Sequence, residues 1–235
     1  MHPIGHGARN SIEQTEVIAV RSQASVKIAA ALSAALVLVG SARTPAHGAS
    51  PQPSPTGATQ QIVLAGGCFW GMEAVFESLK GVTSAVAGYA GGSKDTAHYE
   101  MVSTGDTGHA ESVQVTFDPS QITFGQLLSV YFLVAHDPTE LNRQGPDEGT
   151  QYRSAIFYEN DAQKQAAQAY IKQLEQTKRF DAPIVTQVVP LHGFYAAEAY
   201  HQHFVQRNPD YPYVVFNDLP KLKHLREQYP QLVKP

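Results

Sequence analysis

Gln61-Ile-Val-Leu-Ala-Gly-Gly-Cys-Phe-Trp-Gly-Met-Glu-Ala-Val-Phe-Glu-Ser-Leu79 holds the most structural information in this chain of 235 residues. Its first five residues are a short apolar run closed by Gly66-Gly67, which reads as a buried strand ending in a turn. Helical spacing takes over at once. Cys68, Met72, Val75, Phe76 and Leu79 share one face, Glu73 and Glu77 take the other, and Gly81 stops the helix. The unit is strand, glycine turn, helix, with Cys68 in the first helical turn.

Working outward, Val82 to Tyr89 reads as a second strand, ended by Gly91-Gly92. Ala110 to Phe117 alternates cleanly: Val113, Val115 and Phe117 share one face, Ser112, Gln114 and Thr116 the other. Glu111 has the parity of the apolar set, so its side chain points toward the core. Thr123-Phe-Gly-Gln126 has the pattern of a capping box and opens a helix to about Ala135. Arg153 to Tyr158 reads as a strand, Ala162 to Lys178 as a helix, Ile184 to Val189 as a strand and Ala196 to Gln206 as a helix. Strands and helices interleave, so the fold class is α/β or α+β in a two-layer form.

The first 60 residues differ from the rest. Ile28 to Gly40 is an apolar run preceded by Arg21 and Lys27, and small residues follow it, with Ala46-His47-Gly48 offering a cleavage site. Too short to span a bilayer unaided, it reads as a secretory signal occupying residues 1–48. Export, to a periplasmic location, is therefore expected; an uncleaved membrane anchor is the alternative. Residues 49–60, rich in Pro, Ser, Gly and Thr, read as a disordered linker, which leaves 61–235 as the folded domain. A net charge of −4 with no basic block argues against a nucleic-acid partner. The single cysteine excludes a disulfide within the chain and a zinc site built from cysteines alone.

Two residues carry chemistry. At a helix N-terminus, unpaired backbone N–H groups and the helix dipole favour the Cys68 thiolate, and Phe69 and Trp70 can form an apolar wall beside it. The bland reading of a lone cysteine is a small buried hydrophobe. Glu111, a carboxyl on an apolar face, should have a raised pKa and stay protonated, which pairs a nucleophile with a general acid. Its bland reading is a buried ion pair with Arg153 or Arg143.

Gly67-Cys-Phe-Trp-Gly71, Gly88-Tyr-Ala-Gly-Gly92, Gly105-Asp-Thr-Gly-His-Ala-Glu111, His136-Asp-Pro138, Gly149-Thr-Gln-Tyr-Arg-Ser154 and His201-Gln202 together resemble the A-type peptide methionine sulfoxide reductases. The resemblance implies a two-layer sandwich with a split βαβ, ferredoxin-like core. It implies reduction of the S epimer of methionine sulfoxide, free or in oxidised proteins, by attack from Cys68. Glu111 would protonate the departing oxygen, while Tyr99 and Tyr152 would donate hydrogen bonds to it. Phe69 and Trp70 would enclose the S-methyl group, and Asp147 and His201 would orient the substrate. No metal or bound cofactor is expected at this site, and a monomer is expected. Many family members carry further cysteines that resolve the sulfenic acid. Since this chain has none, an external thiol must do so: a thioredoxin- or glutaredoxin-like protein, or a small thiol. Three other readings are a cysteine hydrolase pairing Cys68 with His201 or His109, a metal-binding protein using His201 and His203, and a non-catalytic binding module.

Overall fold

The computed structural model describes residues 58–235; the expected leader and most of the expected linker lie outside them. Strand β1 (Gln60–Ala65) passes through the two glycines into α1 (Phe69–Glu77), followed by β2 (Val82–Ala90). After a single turn of helix, α2 (Tyr99–Val102), come β3 (Ala110–Phe117) and α3 (Phe124–Val130), which continues as a π-helical turn over Tyr131–Ala135. A short ladder of β4 (Arg143–Gln144) and β5 (Asp147–Glu148) leads to β6 (Ala155–Tyr158), α4 (Asp161–Gln176), β7 (Gln187–Pro190) and β8 (Phe194–Ala196). Then come α5 (Phe204–Arg207), a π-helical turn at Val214–Asp218, and α6 (Leu219–Gln228).

Six strands form one sheet in the order β7-β6-β1-β3-β2-β8. Both β1 and β2 run antiparallel to β3, which lies between them. They are therefore parallel to each other, with α1 as their crossover. In the same way β3 and β6 flank β1, and α3 lies in the connection between them. Two interlocked split βαβ units make the ferredoxin-like α+β core that the family resemblance implies.

The continuous apolar run of β1 has a simple cause. Ile62 and Leu64 join the main core with Met72, Val75 and Phe76 of α1 and Val113, Val115 and Phe117 of β3. Val63 and Ala65 point the opposite way, into a smaller cluster with Ala110, Ala155 and Phe157. A strand covered on both faces has no polar parity to show. Each fully buried phenylalanine contributes about 1.5–3 kcal/mol, so Phe69, Phe76 and Phe117 supply a large share of the burial in the core that α1 and β3 share.

The capping box at Thr123 forms as its sequence predicts: the hydroxyl accepts from the Gln126 N–H, and the Gln126 side chain accepts from the Thr123 N–H. Three expectations need correction. No helix runs over 196–206. Ala196 closes β8, the backbone turns, and only Phe204–Arg207 is helical. Tertiary hydrogen bonds outcompete the helix there: Gln202 accepts from the Ala87 N–H and donates to the Ala87 and Ala197 carbonyls, while the Ala197 N–H donates to Ala87. The strand expected at Ile184 starts only at Gln187, because the Val185 N–H is used by the Pro138 carbonyl. Glu73, assigned to the polar face of α1, is 1% exposed, because the turn before α5 covers that face.

Candidate active site

Gly67 adopts φ +91°, and a Cβ there would stand 2.5 Å from the Gln144 side chain. Glycine is thus required twice over for the chain to leave β1 and enter α1 at this angle. The turn leaves Cys68 at the N-cap, where its own side chain caps nothing. The cap comes instead from β3: Glu111 Oε2 accepts the Phe69 N–H at 3.0 Å. Strand parity and helix start therefore meet at one point, and that hydrogen bond ties the acid to the residue that follows the thiol.

Around this pair lies a cavity of about 180 Å³ lined by Cys68, Phe69, Trp70 and Glu111, and across from them Tyr99, Asp147, Tyr152, Tyr211 and Tyr213. Seven of the eight expected site residues line it; His201 does not. His201 is buried behind the wall, where its Nδ1 accepts the Trp70 indole N–H at 3.0 Å. Acceptance at Nδ1 makes it the neutral tautomer with the proton on Nε2, and burial lowers its pKa in the same direction. That hydrogen bond orients Trp70. Phe204 stacks on a face of the Trp70 ring at 3.7 Å, so the indole is held at its edge by His201 and on a face by Phe204.

Electrostatics follow from burial. Glu111 is 2% exposed, and desolvation raises its carboxyl to about 8, against the pull of the Phe69 N–H. It is protonated at neutral pH, as its strand parity suggested. Cys68 departs from expectation. Burial pushes the thiol well above its ordinary value, the negative charge of Glu111 once it has ionised and that of Asp218 and Asp147 raise it further, and the Trp70 N–H only partly offsets them. Helix-terminal stabilisation loses to desolvation, so the resting group is the thiol. Burial also raises Tyr99 and Tyr152, which remain neutral O–H donors, and among the described residues neither hydroxyl has a hydrogen-bond partner.

The alternative partners are engaged elsewhere. Arg153 donates to the carbonyls of Gly108, His109 and Thr150, and Arg143 to Gly145, so neither pairs with Glu111. His109 Nδ1 accepts the Gly92 N–H and its Nε2 meets the Ser93 carbonyl, so it is not a base for Cys68.

Several contributors were not foreseen. Tyr213 donates to Asp147 Oδ2, and with Tyr211 it closes one side of the cavity. The only sequence signal was two aromatics bracketing Pro212 after Asn208-Pro209. Glu198 holds α2 in place, accepting the Tyr99 N–H at 3.0 Å and the Tyr89 hydroxyl at 2.8 Å. Asp218, fully buried with Lys221 Nζ 3.9 Å away, packs against the first turn of α1 at Gly71, where a Cβ would stand 2.2 Å from Asp218 Oδ1. Gly71→Ala should therefore destabilise the fold by about 1–3 kcal/mol. Thermal melting would show a drop of roughly 2–10 °C; an unchanged melting temperature would show that Asp218 is free to move.

A thiol, a protonated acid and free hydroxyl donors around a small apolar recess are the equipment of sulfur-based catalysis with general-acid assistance. The comparisons say which kind. Residues 60–232 match the model of the peptide methionine sulfoxide reductase family. The chain is 60% identical over 174 residues to peptide methionine sulfoxide reductase MsrA 2 of Mesorhizobium japonicum, covering 74% of this chain and 89% of that one. It is 54% identical over 176 residues to the MsrA 2 of Synechocystis, covering 75% and 82%. Among solved structures, reduced Mxr1 of Saccharomyces cerevisiae is similar with a TM-score of 0.62 at 35% identity, over 65% of this chain and 87% of that one. Methionine sulfoxide reductase A of Corynebacterium diphtheriae follows at 0.57 and 36%, over 66% and 77%. The chain belongs to the peptide methionine sulfoxide reductase family, A type. It is an oxidoreductase acting on methionine sulfoxide.

Proposed function

We propose that the chain reduces the S epimer of methionine sulfoxide, free and in oxidised proteins, with Cys68 as nucleophile and Glu111 as general acid. The observation that carries this is the hydrogen bond from the Phe69 N–H to Glu111, which places a protonated acid beside the only thiol in one cavity.

The proton inventory balances. Cys68 sulfur attacks the sulfoxide sulfur to form an S–S bond. The Glu111 proton goes to the sulfoxide oxygen, and the thiol proton re-protonates Glu111. A second transfer through the same carboxyl lets the oxygen leave as water. Water then attacks Cys68 sulfur, breaks the S–S bond and releases methionine, leaving a sulfenic acid and returning one proton. The sum is thiol plus sulfoxide giving sulfenic acid plus sulfide. With one cysteine in the chain, an external thiol condenses with the sulfenic acid and expels water; a second thiol cleaves the mixed disulfide and restores Cys68. A thioredoxin- or glutaredoxin-like protein or a small thiol fits this role.

Epimer choice follows from three unlike walls: the methyl group against Phe69 and Trp70, the oxygen toward Tyr99, Tyr152 and Glu111, the sulfur toward Cys68. Fixing the methyl group, the oxygen and the face that the sulfur turns to Cys68 leaves one hand for the remaining carbon chain, and the family resemblance makes it S. Separated epimers of a blocked methionine sulfoxide test this directly, and equal rates on both would sink it. Replacing Tyr99 and Tyr152 together by Phe should lower kcat on the order of a hundredfold. Melting should be unaffected, since neither hydroxyl bonds another described group. A kcat within twofold of the parent would remove the tyrosines from the mechanism.

Export remains part of the proposal, resting on the basic flank, apolar run and small-residue exit of residues 1–48. N-terminal sequencing of the protein from a periplasmic extract tests it, and an intact Met1 there would contradict cleavage.

A further inference from the structure

Along α1, C-terminal to the residues that line the catalytic cavity, Glu73 and Glu77 are four residues apart and share a face. The turn before α5 lays His203 over that face. One ligand atom from each of the three lies within 4.8 Å of the other two. Glu73 is 1% exposed; its Oε2 accepts the His203 N–H at 2.7 Å, and its Oε1 is buried without a hydrogen-bond partner. Glu77 accepts from Gln206 Nε2 at 2.9 Å and also meets the His203 ring at Nδ1. Two carboxylates in one pocket, one with an orphaned buried oxygen, are unfavourable as they stand. A single imidazole cannot satisfy both.

We propose that Glu73, Glu77 and His203 form a binding site for a divalent first-row transition cation of the zinc type, separate from the catalytic cavity. Two carboxylate oxygens and one imidazole nitrogen are a borderline-hard donor set that suits such an ion, with water in the fourth position. Tetrahedral coordination needs donor atoms about 3.3 Å apart. Small side-chain shifts reach that distance, His203 and Glu77 opening slightly from their present contact and both drawing toward Glu73, and both are more exposed than Glu73, His203 at 55% and Glu77 at 14%. An open groove of about 590 Å³ beside Glu77 and His203 gives the ion a way in. The nearby cations are turned away: Lys234 Nζ donates to the Glu77 and Val82 carbonyls, and Arg207 to those of Ala199 and Tyr200. His201 takes no part, since its Nδ1 accepts from Trp70. The bound ion clamps α1 to the turn that carries His201 and Gln202, and so stiffens the support behind Trp70.

The test uses the full chain carrying Cys68→Ser, so that no thiol competes for metal. After chelation, zinc is titrated by calorimetry and by thermal melting, and cobalt is added as a spectroscopic probe. Expected are one zinc per chain, a raised melting temperature, and a cobalt spectrum of oxygen and nitrogen donors with no thiolate band. Adding Glu77→Gln, which keeps the side chain's shape, or His203→Ala, at an exposed side chain, should each weaken zinc binding by about tenfold or more and abolish the melting shift. No zinc binding at millimolar concentration, or binding that either substitution leaves at its original affinity, overturns the proposal. Both readouts are metal binding to a chain that lacks the catalytic thiol, so their outcome is distinguishable from that of the sulfoxide-reduction assays.

Discussion

Cys68→Ser is expected to leave a folded protein with no measurable reduction of methionine sulfoxide. The substitution changes one atom in a small cavity whose other walls are held independently. Trp70 is fixed by His201 and Phe204, Tyr99 by the hydrogen bond of its N–H to Glu198, and Glu111 by the Phe69 N–H. Melting should therefore move little. A hydroxyl cannot take the place of sulfur, because the intermediate is a sulfur–sulfur bond and the product a sulfenic acid. Loss should be complete in both single-turnover and steady-state assays with any reductant. Residual turnover well above background would mean that another group carries the oxygen away.

Glu111→Gln should lower kcat by about a hundredfold or more, the usual scale of a general acid. The glutamine amide oxygen can still accept the Phe69 N–H, so the cap on α1 survives and the loss is chemical. The pH profile separates the two roles further. Burial holds Glu111 at about 8, so in the parent enzyme the rate falls as pH rises through that value and the acid form disappears. Glutamine has no such limb, and its residual rate should be flat there. The same shift links to folding: the folded pKa lies above the ordinary 4.5, so stability from this group is full below about 4.5 and is lost as pH rises toward 8. Glu111→Gln should remove that slope from the melting temperature. A variant that keeps the parent's alkaline limb would assign it to another group, and the role of Glu111 as proton donor would fail.

What was legible in the sequence was local. The apolar run to Ala65, the two glycines and the 3.6-residue spacing from Cys68 specify β1, the turn and α1 without outside help. The alternation of Ala110 to Phe117 places Glu111 in the core, and burial alone then implies its protonation. What stayed hidden was set at a distance. Gln202 reads as helical until its side chain is seen holding Ala87, 115 residues earlier. Glu73 reads as solvent-facing until His203 covers it. Tyr211, Tyr213 and Asp218 lie in a stretch whose π-helical turn has no pattern of its own, and they matter only because that turn is folded back over α1. Even the state of Cys68 is a contest of distant terms: local helix geometry favours thiolate, while enclosure and three carboxyl groups from elsewhere in the chain reverse it.

The most direct test is stoichiometric. Incubated with excess methionine sulfoxide in the absence of any thiol and followed by intact-mass and peptide mass spectrometry, the protein should release one methionine per chain and then stop, having gained a single oxygen atom located on Cys68. Continued turnover without a thiol, or an unoxidised Cys68 after methionine has been released, would contradict it.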